Sequence, residues 1–289
     1  MGKPDEHKPN LRLQVYAATF IDILGQGSAL RKLRDSEWWH LTPETKRLLS
    51  ETYGRVQRFR DLYRRFLSGF FKPSHLEQEF IASNPTKALL SLWQASRVHD
   101  LQVLCIADSI IALVPIHVRD SIFPFPSVLA LMGACCHTIL SSFCEHRAIR
   151  GGIALGPCVF NSETEEIYGS AISVAVELEK SANWPRLLVD PEIIRVAKTF
   201  AEHSGTEKAE HLNATFAQRC LSLVVDDDDG QPILDYLGRG VRQLYDIPER
   251  ISSKAEGFIL SQVSEHAGNE KILDKYRKVQ QYFEKHKRK

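Results

Sequence analysis

Residues Leu11–Ser28 read LRLQVYAATFIDILGQGS, an apolar, β-branched and aromatic run that ends in a carboxylate and two glycines. Such a run, interrupted by Gly25 and Gly27, predicts a strand over Leu11–Ile23 that stops in a tight loop. Asp22 then leaves the end of a strand beside backbone amides that the glycines free for close approach to an anion.

The partner for this motif lies downstream. Leu101–Ile106 and Ser109–Ile116 are apolar runs on either side of Ala107 and Asp108, the pattern of a two-residue hairpin whose tip carries an acid. Two carboxylates presented from strand ends can converge on a hard divalent cation while loop amides face a phosphate chain. Each aspartate alone has the plainer reading of a turn residue.

Working outward, Thr42–Phe71 carries Leu48, Leu49, Tyr53, Val56, Phe59, Tyr63 and Phe66 near helical spacing, which predicts an amphipathic helix. Its other face holds Arg55, Arg58, Arg60, Arg64 and Arg65, read as a solvated stripe. Helices are predicted from Asn84 or Pro85 to Ala95, over Phe125–Arg147 packed on the sheet, over Tyr168–Lys180, and over Pro191–His203. Strands are predicted at Arg150–Gly156, Arg186–Asp190, Cys220–Val225 and Gln231–Leu237. Asp226–Asp229 with Gly230 reads as a solvated hairpin turn, because it lacks the spacing and closing glutamate of a calcium loop. Residues from about Asp246 onward read as helical, with the basic KHKRK as a frayed end.

Lys+Arg 37 against Asp+Glu 36 gives a formal net charge of +1, so no global field favours nucleic acid or a membrane surface. The six cysteines include no C-x-x-C pair and read as buried thiols. His99, His117, His137 and His146 show no metal-ligand spacing. The polar opening MGKPDEHKPN lacks an apolar core, and no stretch of about 18 consecutive apolar residues occurs, so a cytoplasmic protein is expected.

Four segments in order, FIDILGQ (Phe20–Gln26), AD (Ala107, Asp108), RGGIALG (Arg150–Gly156) and GSAISVAVEL (Gly169–Leu178), resemble the signature of the class III nucleotidyl cyclases. The resemblance covers roughly residues 11–190. It implies an α/β (α+β) fold with a palm-like, antiparallel-rich sheet flanked by helices, a helical insertion at about 38–72, a catalytic domain over 1–240 and a helical extension over 241–289. It further implies a homodimer with sites in the shared cleft and two Mn²⁺ or Mg²⁺ ions per site. Asp22, Asp108 and the carbonyl of Ile23 would bind those ions, and the amides of Leu24, Gly25, Gln26 and Gly27, next to Phe20, would cradle the phosphates of a nucleoside triphosphate.

The departures redirect the substrate. The positions that select a purine in this family fall on Leu104 and Glu166, and the positions that orient ribose and stabilise the reacting phosphate fall on Ser173 and Glu177. The pattern around Gly169–Glu179 and Pro185–Asp190 resembles the bacterial pyrimidine cyclases of Pycsar anti-phage systems, which make cyclic UMP or cyclic CMP for a separate effector. Tyr53 offers a ring face and a polar tip for a pyrimidine, or simply sits on the apolar stripe of its helix. Arg150 suits phosphate recognition, or is a strand-end charge. A non-catalytic nucleotide-sensing or scaffold domain is the other reading, motivated by Ser173 and Glu177.

Overall fold

The computed structural model describes residues 11–25, 31, 42–70, 81–82, 84–87, 90, 101–116, 125–202, 208–244 and 247–287. Its centre is an eight-stranded sheet in the order β2-β3-β1-β4-β6-β8-β7, with β5 paired on the far part of β4. The strands are β1 (Leu11–Ile23), β2 (Gln102–Ile106), β3 (Ser109–Pro115), β4 (Ile149–Asn161), β5 (Glu166–Gly169), β6 (Leu187–Val189), β7 (Val224–Asp226) and β8 (Pro232–Leu234). Every pairing is antiparallel except β4 with β6. The antiparallel-rich sheet flanked by helices is the architecture that the sequence led us to expect.

Alternation along β1 sorts its residues onto two faces. Ala17, Ile21 and Ile23 join the main core, covered by helices α1 (Pro43–Phe70) and α2 (Phe125–Cys144). Tyr16 and Ala18 face the other way, with Ile111, Leu113 and Phe160, beneath helix α3 (Ser170–Ser181). On the α1 face, the buried Thr19 hydroxyl meets Tyr63 Oη at 2.9 Å, and Tyr63 Oη lies 3.6 Å from Cys135 Sγ. One tyrosine thus joins sheet, α1 and α2, with its polar tip satisfied as a buried hydroxyl requires. Helix α2 is long and apolar enough to cross a membrane, yet 89% of its most apolar window is buried inside the protein. The described cysteines are free thiols, and burial pushes Cys135 up to about 12.

The glycines of RGGIALG are explained by the approach of α3 to β4. A Cβ on Gly152 would strike the Ala175 carbonyl and the Leu178 side chain, and one on Gly156 would strike Ser170. Gly152→Ala must therefore separate α3 from the sheet, and overpacking of this kind costs about 1–3 kcal/mol. A drop of that size in the urea-unfolding free energy is expected; an unchanged value would show that α3 does not rest on Gly152.

Helices α4 (Pro191–Glu202), α5 (Lys208–Ser222), α6 (Arg239–Leu244), α7 (Glu249–Glu265) and α8 (Glu270–Lys287) complete the chain. The predicted helix over Tyr168–Lys180 begins later, because Tyr168 and Gly169 pair with Val159 and Cys158 as part of β5. The predicted strand Cys220–Val225 is half helix: Cys220, Leu221 and Ser222 end α5, Leu223 is a turn, and only Val224 and Val225 join β7. Asn84 does not open a helix; its φ is +52° and its amide donates to Ile81 O at 3.2 Å. A helix just after Pro85 is supported, since Lys87 and Leu90 are helical and the Leu90 amide donates to Thr86 O at 2.9 Å; the rest of that predicted helix lies outside the described residues. The basic end is helical through Lys287 and not frayed: α8 buries Leu273, Val279, Tyr282 and Phe283, and Tyr282 donates to Asp235 Oδ1 at 2.8 Å.

The acidic turn is also more than a solvated loop. Arg186, 1% exposed at its side chain, pairs with Asp227 and, at 2.6 Å, with Asp229. Its guanidinium centre lies 5.3 Å from the Trp184 ring. The aspartates of the β7–β8 turn therefore close over a buried cation.

Candidate active site

Asp22, one residue before the end of β1, sits in register between Ser109 of β3 and Arg150 of β4. It points to the α3 side of the sheet, since its neighbours Ile21 and Ile23 belong to the main core. Ser109 Oγ donates to Asp22 Oδ1 at 3.3 Å. Arg150 Nη2 lies 3.7 Å from Asp22 Oδ2, while its Nε lies 2.5 Å from Glu179 Oε1. Arg150 is thus held mainly by Glu179, a side chain only 6% exposed.

The balance of charge shows in Asp22. Burial raises its carboxyl first, the negative charges of Asp108 and Glu179 raise it further, and Arg150 and Ser109 lower it; the outcome is about 6 against an ordinary 3.8. Asp108, at the tip of the β2–β3 hairpin, is therefore within electrostatic reach of Asp22, as the two sequence motifs required. Asp22 and Glu179 flank one guanidinium, Asp108 adds a third negative charge within reach of Asp22, and this charge sits on hard oxygen donors. This donor set fits Mg²⁺ or Mn²⁺, which take few protein carboxylates and leave positions for water and phosphate oxygen. Among the described residues no three His, Cys, Asp or Glu side chains are arranged to hold an ion by themselves, so the pair would share it with such ligands.

The hairpin tip carries strain. Ala107 has φ +54°, a left-handed conformation that costs a residue with a Cβ about 1–2 kcal/mol. In the loop after β1, Gly25 has φ +89°, and the Leu24 amide donates to Ala148 O at 2.8 Å. Gln26 and Gly27 lie outside the described residues.

Tyr53 is not on the buried stripe of its helix; it is 58% exposed. It borders a cleft of about 370 Å³ between α1 and the hairpin tip, together with Val56, Gln57, Arg60, Cys105 and Asp108. Gln57 Nε2 donates to Tyr53 Oη at 3.0 Å. Leu104 faces the opposite side of the sheet, packed against the smaller core cluster beside Phe20. It lines a recess of about 410 Å³ with Arg64, Gln102, Phe160, Ser162 and Glu165. Glu166 stands next to that recess, where its carboxylate accepts from Thr164 Oγ1 at 2.8 Å. Ser173 and Glu177 are exposed on α3, and the structure does not bring them into the group around Asp22.

Sequence reasoning missed Glu179 as a neighbour of the site. The signal was present: Ala171, Ala175 and Glu179 recur every four residues, the spacing of one helix face, and all three are buried. His137 is half-buried beside Phe66, ring centroids 5.1 Å apart, and desolvation lowers it to about 4, which fits a structural role; His146 is exposed, and His99 and His117 lie outside the described residues.

No family model matches the chain, and no curated protein matches it. Among solved structures the chain is similar to the adenylyl cyclase CyaB from P. aeruginosa, at 14% identity over 65% of this chain and 83% of that one, with a TM-score of 0.36.

Proposed function

We propose that the protein is a nucleotide cyclase that converts UTP or CTP to the 3′,5′-cyclic nucleotide and pyrophosphate. The observation that carries this reading is the pair Asp22 and Asp108, two acids at the same end of the sheet, close enough that the charge of Asp108 raises the proton affinity of Asp22. Their motifs fall in the order found in the class III cyclases. Asp22, Asp108 and the Ile23 carbonyl would hold two Mn²⁺ or Mg²⁺ ions. When bound, such ions favour the 3′-oxyanion and neutralise charge on the α-phosphate and the leaving pyrophosphate.

The chain's own groups do the rest. Ser109 and Arg150 fix the Asp22 carboxylate by one hydrogen bond and one longer ion pair. The Leu24 amide, expected from the sequence to face the phosphates, is instead engaged by Ala148 O; the amides that follow Leu24 would meet the β and γ phosphates, and Gly25 allows the backbone to approach them. Tyr53 borders the cleft that contains Asp108, where its ring offers a stacking face to a pyrimidine and Gln57 steadies its hydroxyl. Leu104 lies on the other side of the sheet from that cleft, and its apolar side chain supplies no hydrogen bond that would separate adenine from guanine.

On this reading, residues 1–240 form the catalytic domain and 241–289 a helical extension, two copies pair across a shared cleft, and the exposed Ser173 and Glu177 of α3 face that partner. The product would serve a separate effector in antiviral defence in the cytoplasm. The test is incubation with ATP, GTP, UTP and CTP in turn, each with Mn²⁺, followed by mass spectrometry. Cyclic UMP or cyclic CMP is the expected product. Cyclic AMP or cyclic GMP alone would overturn the assignment of the base. Product from none would favour the second reading, a nucleotide-sensing scaffold, which Ser173 and Glu177 motivate because neither can stabilise a reacting phosphate as arginine does.

A further inference from the structure

Arg150 and Asp22 stand directly opposite one another on the antiparallel strands β4 and β1, where side chains of opposite charge ordinarily pair. Here they do not close on each other. Arg150 Nη2 lies 3.7 Å from Asp22 Oδ2, against about 2.7–2.9 Å for a charge-assisted N–H···O bond. The guanidinium is drawn instead to Glu179, whose Oε1 lies 2.5 Å from its Nε. Both of those atoms are buried, and among the described residues neither has another hydrogen-bond partner.

The packing of α3 brings Glu179 to this place. Ala171, Ala175 and Glu179 form the buried face of the helix, and Gly152 of β4 lets the Ala175 carbonyl sit where a Cβ would otherwise be. So seated, α3 delivers a carboxylate that is 6% exposed to a guanidinium that is 28% exposed. A carboxylate this deep is costly without a cation beside it. Asp22, at 20% exposure, keeps some water and also accepts from Ser109. The competition for Arg150 therefore goes to Glu179, in keeping with the two distances.

We propose that Glu179 is a positioning residue that holds Arg150 away from Asp22, so that the Asp22 carboxylate stays open to a divalent cation. A guanidinium closed onto Asp22 would occupy the oxygen lone pairs that a metal needs, and an arriving ion would have to displace it. Glu179 acts through Arg150 and not as a ligand of the ion, since no three described acids are arranged to hold one. The inference rests on the reading that Asp22 and Asp108 bind the metal.

Titration of the metal-free whole protein with Mn²⁺, followed by the paramagnetic resonance of the free ion, tests this without any turnover. Glu179→Gln removes the competing charge with little change of shape. It is expected to weaken Mn²⁺ binding at least about tenfold, as Arg150 moves onto Asp22. The double variant Arg150→Met/Glu179→Gln removes both partners and is expected to return the affinity to within about threefold of wild type, the non-additivity of residues that act through one another. A glutamate that served the fold alone would not be rescued by loss of its arginine.

Glu179→Asp keeps the charge but shortens the reach to Arg150, and weaker Mn²⁺ binding is expected there too, so position is separated from total charge; it also serves if Glu179→Gln does not fold. A crystal structure of the metal-free Glu179→Gln protein should place an Arg150 Nη atom about 3 Å from the Asp22 carboxylate. Unchanged Mn²⁺ affinity in Glu179→Gln, or a loss that the double variant does not restore, would overturn the inference and leave the metal site standing. No Mn²⁺ binding by wild type would remove the metal site and the inference together.

Discussion

Asp22→Asn is expected to make the metal-free protein more stable at pH 7.5 while cutting cyclic-nucleotide formation by at least about a thousandfold, to background, as removal of a metal ligand should. The two halves have one cause. A carboxyl moved from 3.8 to about 6 corresponds to about 3 kcal/mol of cost to the charged form. Residual exposure of the side chain, 20%, reduces the expected gain to about 1–2 kcal/mol. The folded carboxyl binds its proton more readily than the unfolded one, so wild type gains stability relative to the variant as pH falls from 7 through 6 toward 4.

Denaturant midpoints for both proteins at pH 7.5 and 5, without and with Mn²⁺, read this directly. Wild type should be stabilised by Mn²⁺ at pH 7.5, and the variant should not respond. A variant less stable than wild type at pH 7.5 would mean that the carboxylate is satisfied by Arg150 and Ser109, with no surplus charge to attract a cation. Asp108→Ala serves as the companion: loss of product with retained fold is expected, and retained turnover would remove the hairpin acid from the metal site.

Arg186→Ala is the change expected to do most harm to the fold. Its side chain is 1% exposed and engages two aspartates, and the Asp229 carboxyl is held below its usual range chiefly by that hydrogen bond. Removing one partner of a buried ion pair costs about 3–5 kcal/mol, because the remaining charge is left without compensation. Asp229→Asn, at a side chain 42% exposed, should cost about 1 kcal/mol or less, since water can replace what is lost. Urea unfolding followed through tryptophan emission measures both. Similar small losses in the two variants would show that the guanidinium is not a structural centre of the β7–β8 turn.

How far the fold could be read from sequence depended on whether local pattern or distant packing decided each segment. Strand β1 and the β2–β3 hairpin were legible because apolar runs met unmistakable stops at Leu24–Gly25 and Ala107–Asp108. Helix α1 was legible because its apolar residues kept a 3.6-residue rhythm over many turns. Cys220–Val225 was misread because a short apolar run has no period that separates helix from strand, and contacts of α5 with the core settled its first half as helix. Tyr168 was misread because its strand partner, Val159, lies across a hairpin rather than beside it in sequence.

The same division holds for the candidate site. Asp22 and Asp108 could be named from their motifs, and Tyr53 from its ring and hydroxyl, although its exposure beside Asp108 needed the packed helix. Glu179 lay hidden in a helix repeat that was read for its glycine and alanines. Nor did Arg186 stand out, since an arginine before LLVD looks like an ordinary strand start until the acidic turn folds onto it.

Phe143 of α2 packs with Tyr236, Phe258 and Phe283, its ring centroid 6.2–6.3 Å from each. These partners lie far along the chain, so the Phe143 end of α2 is not fully covered until Tyr236, Phe258 and Phe283 have all been synthesised. Closing so distant a contact carries the entropy of a very long loop and tends to slow folding. On the ribosome, the most apolar of the described helices thus keeps one end waiting for distant partners, and chaperone dependence during translation should be greatest before α8 emerges.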